Sequence, residues 1–300
     1  MPDKFIVNKN FNNIRLDRWF KQEVLNLPNS LIQRLLRKNK IKVNNKKIKS
    51  SFRLTTGDKV LIYNLSNYKP TDIKKKMQYL PTSKESNKFE NLILFDNQDY
   101  VVVNKPRGLA VQSGTKNLKN VVDILKKTKT FEHAKPYILH RLDKETSGVF
   151  LVSKNRESAQ YFTSLFRLRR IHKTYLAIVK GKFPDNIKKM EDNLEYYENN
   201  KKTKLKAITF AKVLKSNYKY SFLELLPRTW RKHQLRKQLY MRGFPIIGDT
   251  KYNLDKKKFS KQSAMLLHSF KLKFIKNEKK VTFEAQLDDD FKRKLKLYFR

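Results

Sequence analysis

The sequence predicts an α+β protein in two domains: a small αα-β module at the N-terminus and a larger domain built on a mixed, mainly antiparallel sheet. Three observations predict it. Residues 15–62 hold two apolar helical patterns followed by short alternating stretches. Beyond residue 92, strand-length apolar stretches outnumber helical ones, which favours a mixed sheet over a doubly wound one. Between them the polar interval 64–88 carries Pro70, Pro81 and three consecutive lysines. The expected boundaries are 1–63 for the first domain, 64–88 for a flexible linker and 89–300 for the second.

Taken in order, Phe5-Ile6-Val7 is a short strand. Leu16, Trp19, Phe20 and Val24 share one face of a helix that Pro28 ends, and Asn29-Ser30 is placed to cap the next. That second helix buries Leu31, Ile32, Leu35 and Leu36 and turns Arg34, Arg37 and Lys38 outward. Lys42 sits in a strand at 41–43, Asn44-Asn45 makes a turn, and Gly57-Asp58 introduces a strand through Val60 and Ile62.

In the second domain, 92–95 and 100–103 form a hairpin about Asp96-Asn97. Pro106 and Gly108 shape an irregular loop with Lys105 and Arg107. A short helix at 121–127 precedes residues 138–148, where His140, Arg141, Asp143, Lys144 and Gly148 lie between two apolar runs, in the kind of strand-end loop that presents reactive groups. A helix at 156–169 turns Ala159, Phe162, Leu165 and Phe166 inward and leads into cations from Arg167 to Lys173, a candidate phosphate contact. Strands follow at 174–179, 206–214 and 218–226, with the mixed-charge segment 182–205 read as a surface excursion. A helix from about Arg231 stops before Gly243. Strands near 244–247, 264–274 and 281–287 lead to a last helix from Asp289.

Sixty-nine Lys+Arg against 27 Asp+Glu give a net charge of +42. A polyanion is the natural partner, and no apolar run approaches the roughly 20 residues that span a bilayer, so nucleic acid is favoured over lipid. The absence of cysteine excludes disulfides, thiol nucleophiles, iron–sulfur clusters and cysteine-ligated zinc chemistry. No secretory signal pattern occurs at the N-terminus, so an interior, reducing compartment is expected. Dinucleotide and P-loop glycine signatures and a serine-hydrolase elbow are missing, and the five histidines lack metal-ligand spacing. What remains is a carboxylate among cations. Asp143, between Arg141 and Lys144, can act as a nucleophile or base on a sugar or a base ring without a cofactor. A structural ion pair in a loop fits the local pattern too and is the commoner case.

Two resemblances extend this reading. Residues 15–62 resemble an S4-type RNA-binding domain through Arg15-Leu16-Asp17, the basic helix at Arg34 and Arg37, Lys42-Val43-Asn44-Asn45, and Leu54 with Gly57-Asp58. Residues 90–290 resemble the RluA/RluC/RluD family of pseudouridine synthases, whose signature looks like His140-Arg141-Leu142-Asp143-Lys144-Glu145-Thr146-Ser147-Gly148. Asn104-Lys105-Pro106-Arg107-Gly108, Lys173-Thr174-Tyr175-Leu176-Ala177, His233-Gln234-Leu235-Arg236, Pro245-Ile246-Ile247-Gly248-Asp249 and Leu266-Leu267-His268 accompany it in the family's order.

The resemblance implies cofactor-free isomerisation of uridine to pseudouridine. Asp143 would be the catalytic aspartate, Tyr175 would stack on the base and assist proton loss from C5, Arg236 would pair with Asp143, and Arg141 would displace the target nucleotide. His140, Leu235, Asn104, Lys105 and Arg107 are expected against the substrate, and Arg15, Arg34, Arg37, Lys38 and Lys42 against RNA. Also implied are large-subunit ribosomal RNA as substrate, a monomer with no obligatory protein partner, no membrane association, and a bacterial cytoplasm or an organelle of bacterial origin. The competing readings are a non-catalytic ribosome-assembly factor on the same fold and a synthase acting on transfer RNA. One stretch departs from the family: Thr229-Trp230-Arg231-Lys232-His233-Gln234 stands where Thr-Gly-Arg-Thr-His-Gln is usual. A helix from Arg231 would put Lys232 and Arg236 on one face.

Overall fold

The computed structural model describes residues 2–69, 79–114, 118–198, 201–253 and 264–300. The chain separates into two compact units, Met1–Lys76 and Met77–Arg300.

The first unit runs β1 (Asp3–Ile6), β2 (Ile14–Arg15), α1 (Leu16–Trp19), α2 (Asn29–Arg37), β3 (Ile41–Val43), β4 (Arg53–Leu54) and β5 (Lys59–Ile62). β5 lies between β1 and β3 in an antiparallel sheet, and β2 pairs β4. A π-helical turn, Phe20–Val24, continues α1, and Leu16, Trp19 and Phe20 share one core with Ile32, Leu35 and Leu36 of α2 and Ile41, Val60 and Ile62 of the sheet. Asn29 and Ser30 lie inside the first turn of α2 rather than capping it; Pro28 holds the cap position, and its carbonyl accepts from Leu31 and Ile32. Asn44 and Asn45 both take the left-handed backbone (φ 47° and 63°) of a tight turn closed between Val43 and Lys46.

Within the interval read as a linker, 70–78 lie outside the described residues, and 83–88 are helical. α3 (Ser83–Glu90) opens with a capping box between Thr82 and Glu85 and buries Phe89 in the core of the second unit. Phe89 is its one large apolar residue, so periodicity could not reveal it.

The second unit continues with β6 (Ile93–Asp96), β7 (Tyr100–Lys105), α4 (Val121–Leu125), β8 (Tyr137–Ile138), β9 (Ser147–Ser153), α5 (Arg156–Arg167) and β10 (His172–Lys180). After these come β11 (Lys189–Glu198), β12 (Lys201–Ser216), β13 (Tyr220–Pro227), α6 (Gln234–Met241), β14 (Leu267–Lys276), β15 (Lys279–Glu284) and α7 (Asp289–Tyr298). Its strands form one sheet in the order β11-β12-β13-β10-β14-β9-β7-β6, with β15 on β14 and β8 on β9. Among the described residues only β9 and β14 pair in parallel. The fold is therefore α+β on a mixed, mainly antiparallel sheet.

Strand alternation explains how the sheet is covered on both faces. Val101 and Val103 of β7 and Phe150 and Val152 of β9 face one core, together with Phe89 of α3, Val121, Ile124 and Leu125 of α4, and Leu235 and Leu239 of α6. Val102, Val149 and Leu151 face the other way, onto Phe162, Leu165 and Phe166 of α5. Leu176 and Ile178 of β10 meet Phe291 of α7 on that second side.

Three expectations need correction. The segment 182–205 is no loose excursion: it contains β11, an edge strand whose Glu191 and Glu195 pair with Lys189, Lys202, Lys204 and Lys206. Cross-strand charge pairing gave it the composition of a solvated loop. Residues 244–247 form no regular strand; Ile246 makes an isolated bridge to Val179. The helix expected from Arg231 begins at Gln234.

Candidate active site

Asp143 sits on the loop leading into β9, beside the parallel β9–β14 junction. That junction exists because Gly148 (φ 108°) lets the two backbones approach closely. Next to it, Ser147 donates its hydroxyl to His268 Nδ1 at 2.9 Å, and His268 Nε2 donates to the Ala285 carbonyl at 3.0 Å. His268 is wholly buried and burial lowers its pKa, so this neutral ring is a structural tie between β14 and the strand that follows Asp143.

The Asp143 carboxylate accepts from Arg236 Nη1 at 2.9 Å through Oδ2, and its Oδ1 lies 3.7 Å from His233 Nε2. Arg236 is delivered by α6, and its other edge is gripped by Asp249: Nε donates to Oδ2 at 2.6 Å and Nη2 to Oδ1 at 2.8 Å. Asp249 is completely buried and also accepts from the backbone N–H groups of Lys251 and Tyr252. Burial opposes the charge on Arg236, yet the Asp249 and Asp143 carboxylates outweigh it and hold the pKa above the ordinary value. Tyr252 lays its ring against the guanidinium, 5.1 Å from its centre. At the start of α6, Gln234 accepts from Thr229 and Arg231 and donates to Ile208 and Thr209, which fixes the helix against β12 and the segment that follows β13.

Tyr175 of β10 is buried in the core with Leu142, Leu225 and Leu235. Burial pushes its hydroxyl well above the ordinary tyrosine range; a hydrogen bond with Ser269 pulls it back in part, and the Asp143 charge pushes it further up. Lys173, two residues earlier, has different surroundings. The pairing of β10 with β14 slips register between Thr174 and Tyr175, and the Lys173 amine faces the rings of Phe166 and Trp230, at 4.9 and 5.2 Å, in the layer beneath α5. An irregularity of this kind re-aims side chains near functional sites.

The structure thus brings Asp143, Tyr175, Arg236 and Leu235 together, with Arg141 exposed beside them. Other residues expected against substrate are engaged elsewhere. His140 Nε2 accepts from the Leu151 N–H at 3.2 Å, so its proton is on Nδ1, which lies 3.2 Å from the Lys173 amine. Burial pushes Lys173 down to about 7, and burial together with the Lys173 charge pushes His140 well below its ordinary value. Lys105 is fully buried and donates to the carbonyls of Pro106, Leu109 and Lys144, stapling its own loop to the loop of Asp143. Burial draws its pKa down to about 7, against the pull of Glu145 and Asp143. Arg107 is paired with Asp288 and Asp290 at the start of α7, and Asn104 donates to the Gln286 carbonyl. In the first unit, Arg34, Arg37 and Lys38 are exposed on α2, whereas Arg15 pairs with Asp17 and Lys42 leans over Tyr63.

Three site residues had no role assigned from sequence: Tyr252, and His233 and Asp249, which stand inside motifs of the family resemblance. Gly248 (φ 79°) has no room for a side chain, since a Cβ would lie 2.1 Å from the Ala264 carbonyl oxygen. The left-handed residue of the divergent stretch is His233 (φ 54°) and not Trp230. Among the described residues no group of three or more His, Asp or Glu is placed to hold a metal.

The family model of the RNA pseudouridylate synthases matches residues 99–240, the span holding Asp143, Tyr175 and Arg236. Such an enzyme is an isomerase. At 31% identity over 95% of this chain and 94% of the relative, the sequence is similar to the ribosomal large subunit pseudouridine synthase C of Buchnera aphidicola subsp. Acyrthosiphon pisum. It is similar to the protein of that name from Rickettsia bellii at 35% identity over 93% of this chain and 96% of the relative. Among solved structures it resembles human RNA pseudouridylate synthase domain containing 4, with a TM-score of 0.60 and 26% identity over 70% of this chain and 94% of that one. The chain belongs to the RluA family of pseudouridine synthases, on its RluC-type branch.

Proposed function

We propose that this enzyme isomerises uridines of large-subunit ribosomal RNA, with Asp143 as the catalytic carboxylate. The observation that carries the reading is the Asp143–Arg236–Asp249 chain of charge: a carboxylate, partly open to solvent, aimed by an arginine that is itself locked by a fully buried aspartate. A loop aspartate serving only as an ion pair has no need of such a brace. The substrate follows from the relatives, named as large-subunit synthases and matched over nearly their whole length. A net charge of +42 suits a structured RNA.

In this reading Asp143 acts at the ribose while the N1–C1′ bond breaks, the uracil turns, and C5 bonds to C1′. C5 then loses its proton and N1 gains one. Tyr175 stacks on the uracil as a neutral phenol. Burial and Asp143's own charge keep it neutral at rest; it can take the C5 proton only after releasing its own hydroxyl proton, a release that consuming the Asp143 charge at the ribose makes easier. Arg141, exposed on the same loop, takes the place of the extruded nucleotide, a step that costs a few kcal/mol and that stacking and phosphate contacts offset. The first unit acts as an S4-type RNA-binding domain through Arg34, Arg37 and Lys38. The protein works as a monomer in a bacterial cytoplasm; the organisms of its relatives support the bacterial source.

The test is release of tritium from C5-labelled uridine in a ribosomal RNA transcript. The native chain is expected to release it, and Asp143→Ala is expected to bind the transcript without release. Equal release from both would remove Asp143 from the chemistry.

A further inference from the structure

Arg236 accounts for one oxygen of Asp143. The other, Oδ1, faces His233 Nε2 at 3.7 Å. His233 is held there in an unusual way. Its φ of 54° is left-handed, a strained backbone for a residue with a β-carbon, and it falls immediately before α6. Its Nδ1 is 3.0 Å from the Tyr252 hydroxyl, and the two rings meet edge to face with centroids 5.6 Å apart. Tyr252 also supports Arg236 through its ring, and it follows Asp249, the second support of Arg236, by three residues. One turn, 249–252, therefore braces both groups that reach Asp143.

The protons can be assigned. A carboxylate only accepts, so the nitrogen facing it carries hydrogen; in a neutral imidazole Nδ1 is then the acceptor and the Tyr252 hydroxyl donates to it. Burial favours this neutral ring. The Asp143 charge opposes that, while Arg236, Lys251 and Lys232 reinforce it.

We infer that His233, clamped by Tyr252, is a positioning residue for the reaction: its Nε2–H limits rotation of the Asp143 carboxylate, so that Oδ1 is presented to the ribose while Arg236 retains Oδ2. The inference rests on the proposal that Asp143 is catalytic. A contact of 3.7 Å exceeds a hydrogen bond, and such contacts tighten when substrate is bound.

The experiment uses the full chain and the tritium-release assay, with kcat and KM measured separately. His233→Asn keeps a residue tolerant of the left-handed backbone but draws the donor away from Asp143; His233→Gln restores its reach. Tyr252→Phe removes the hydroxyl and keeps the ring on Arg236. His233→Asn and Tyr252→Phe are each expected to lower kcat by about 10- to 100-fold, the scale of a misplaced reacting group, with KM for the transcript little changed. His233→Gln recovers most of that loss, and the double variant is no slower than His233→Asn alone. Native kcat in His233→Asn, a loss confined to KM, or losses that multiply in the double variant would each overturn the inference. If His233→Asn does not fold by circular dichroism, Tyr252→Phe decides, and native kcat in that variant refutes the clamp. Asp143→Ala in the same assay separates the two levels. If it is active, the catalytic reading falls and takes this inference with it; if it is inactive beside fully active His233→Asn and Tyr252→Phe, only the role of His233 falls.

Discussion

Gly148 of β9 and Ser269 of β14 meet backbone to backbone, so closely that a β-carbon on Gly148 would lie 2.1 Å from the Ser269 carbonyl oxygen. This contact closes the parallel junction beside Asp143, and its φ of 108° disfavours any other residue. Gly148→Ala is expected to destabilise the second unit by about 3–5 kcal/mol, through clash and backbone strain together. A urea denaturation midpoint equal to that of the native chain would show that the strands can part without cost.

Asp249 touches Asp143 only through Arg236, yet its replacement should be felt in both stability and rate. Asp249→Asn leaves a buried guanidinium with half its charge partners, a change that costs about 3–5 kcal/mol for pairs of this kind. It also frees Arg236 to rotate away from Asp143. Urea denaturation and tritium release on the same preparation check both parts. Full activity in a destabilised variant would show that Asp143 needs no brace.

Burial of the Lys173 amine makes stability depend on pH. Its native pKa is pushed down to about 7 from the ordinary 10.5 by burial. Between those values the unfolded chain therefore holds the extra proton, and stability rises with pH across that window, by at most about 1.4 kcal/mol per unit from this one residue. Lys173→Met removes that contribution. Denaturation midpoints at pH 7, 8 and 9 are expected to climb less steeply in the variant, and parallel curves would contradict a lowered Lys173 pKa.

Binding to RNA is expected to weaken steeply with salt. Arg34→Glu/Arg37→Glu on the exposed face of α2 should reduce the log–log salt slope by roughly 1.5–2, as the loss of two phosphate contacts requires, with kcat at saturating transcript unchanged. A slope identical to that of the native chain would move the RNA contact off α2.

Much of this architecture was legible from apolar patterning. The helices at Leu16, Ile32 and Phe162 show their buried face at helical spacing, and the strands at Val101, Phe150 and Ile178, buried on both faces, read as continuous apolar runs of strand length. Where the partner was remote in sequence, the reading failed. Phe89 anchors α3 alone, and Glu191 is matched to Lys206 across a hairpin, so both segments looked like solvated chain. Asp143, Tyr175 and Arg236 stood out through motif resemblance. Composition could not disclose that Lys105 staples three carbonyls or that Arg107 belongs to α7, because a cation bound inside the protein and one awaiting phosphate are spelled alike. The left-handed turn at His233 left no trace in the residue types around it.

The register slip between Thr174 and Tyr175 makes Lys-Thr-Tyr a rivet through the thickness of the sheet, its lysine head set in the layer of Phe166 and Trp230 and its tyrosine foot in the layer of Asp143. The setting of the Tyr175 ring is therefore tied, across one tripeptide, to the packing of Phe166 and Trp230 on the far side of the sheet.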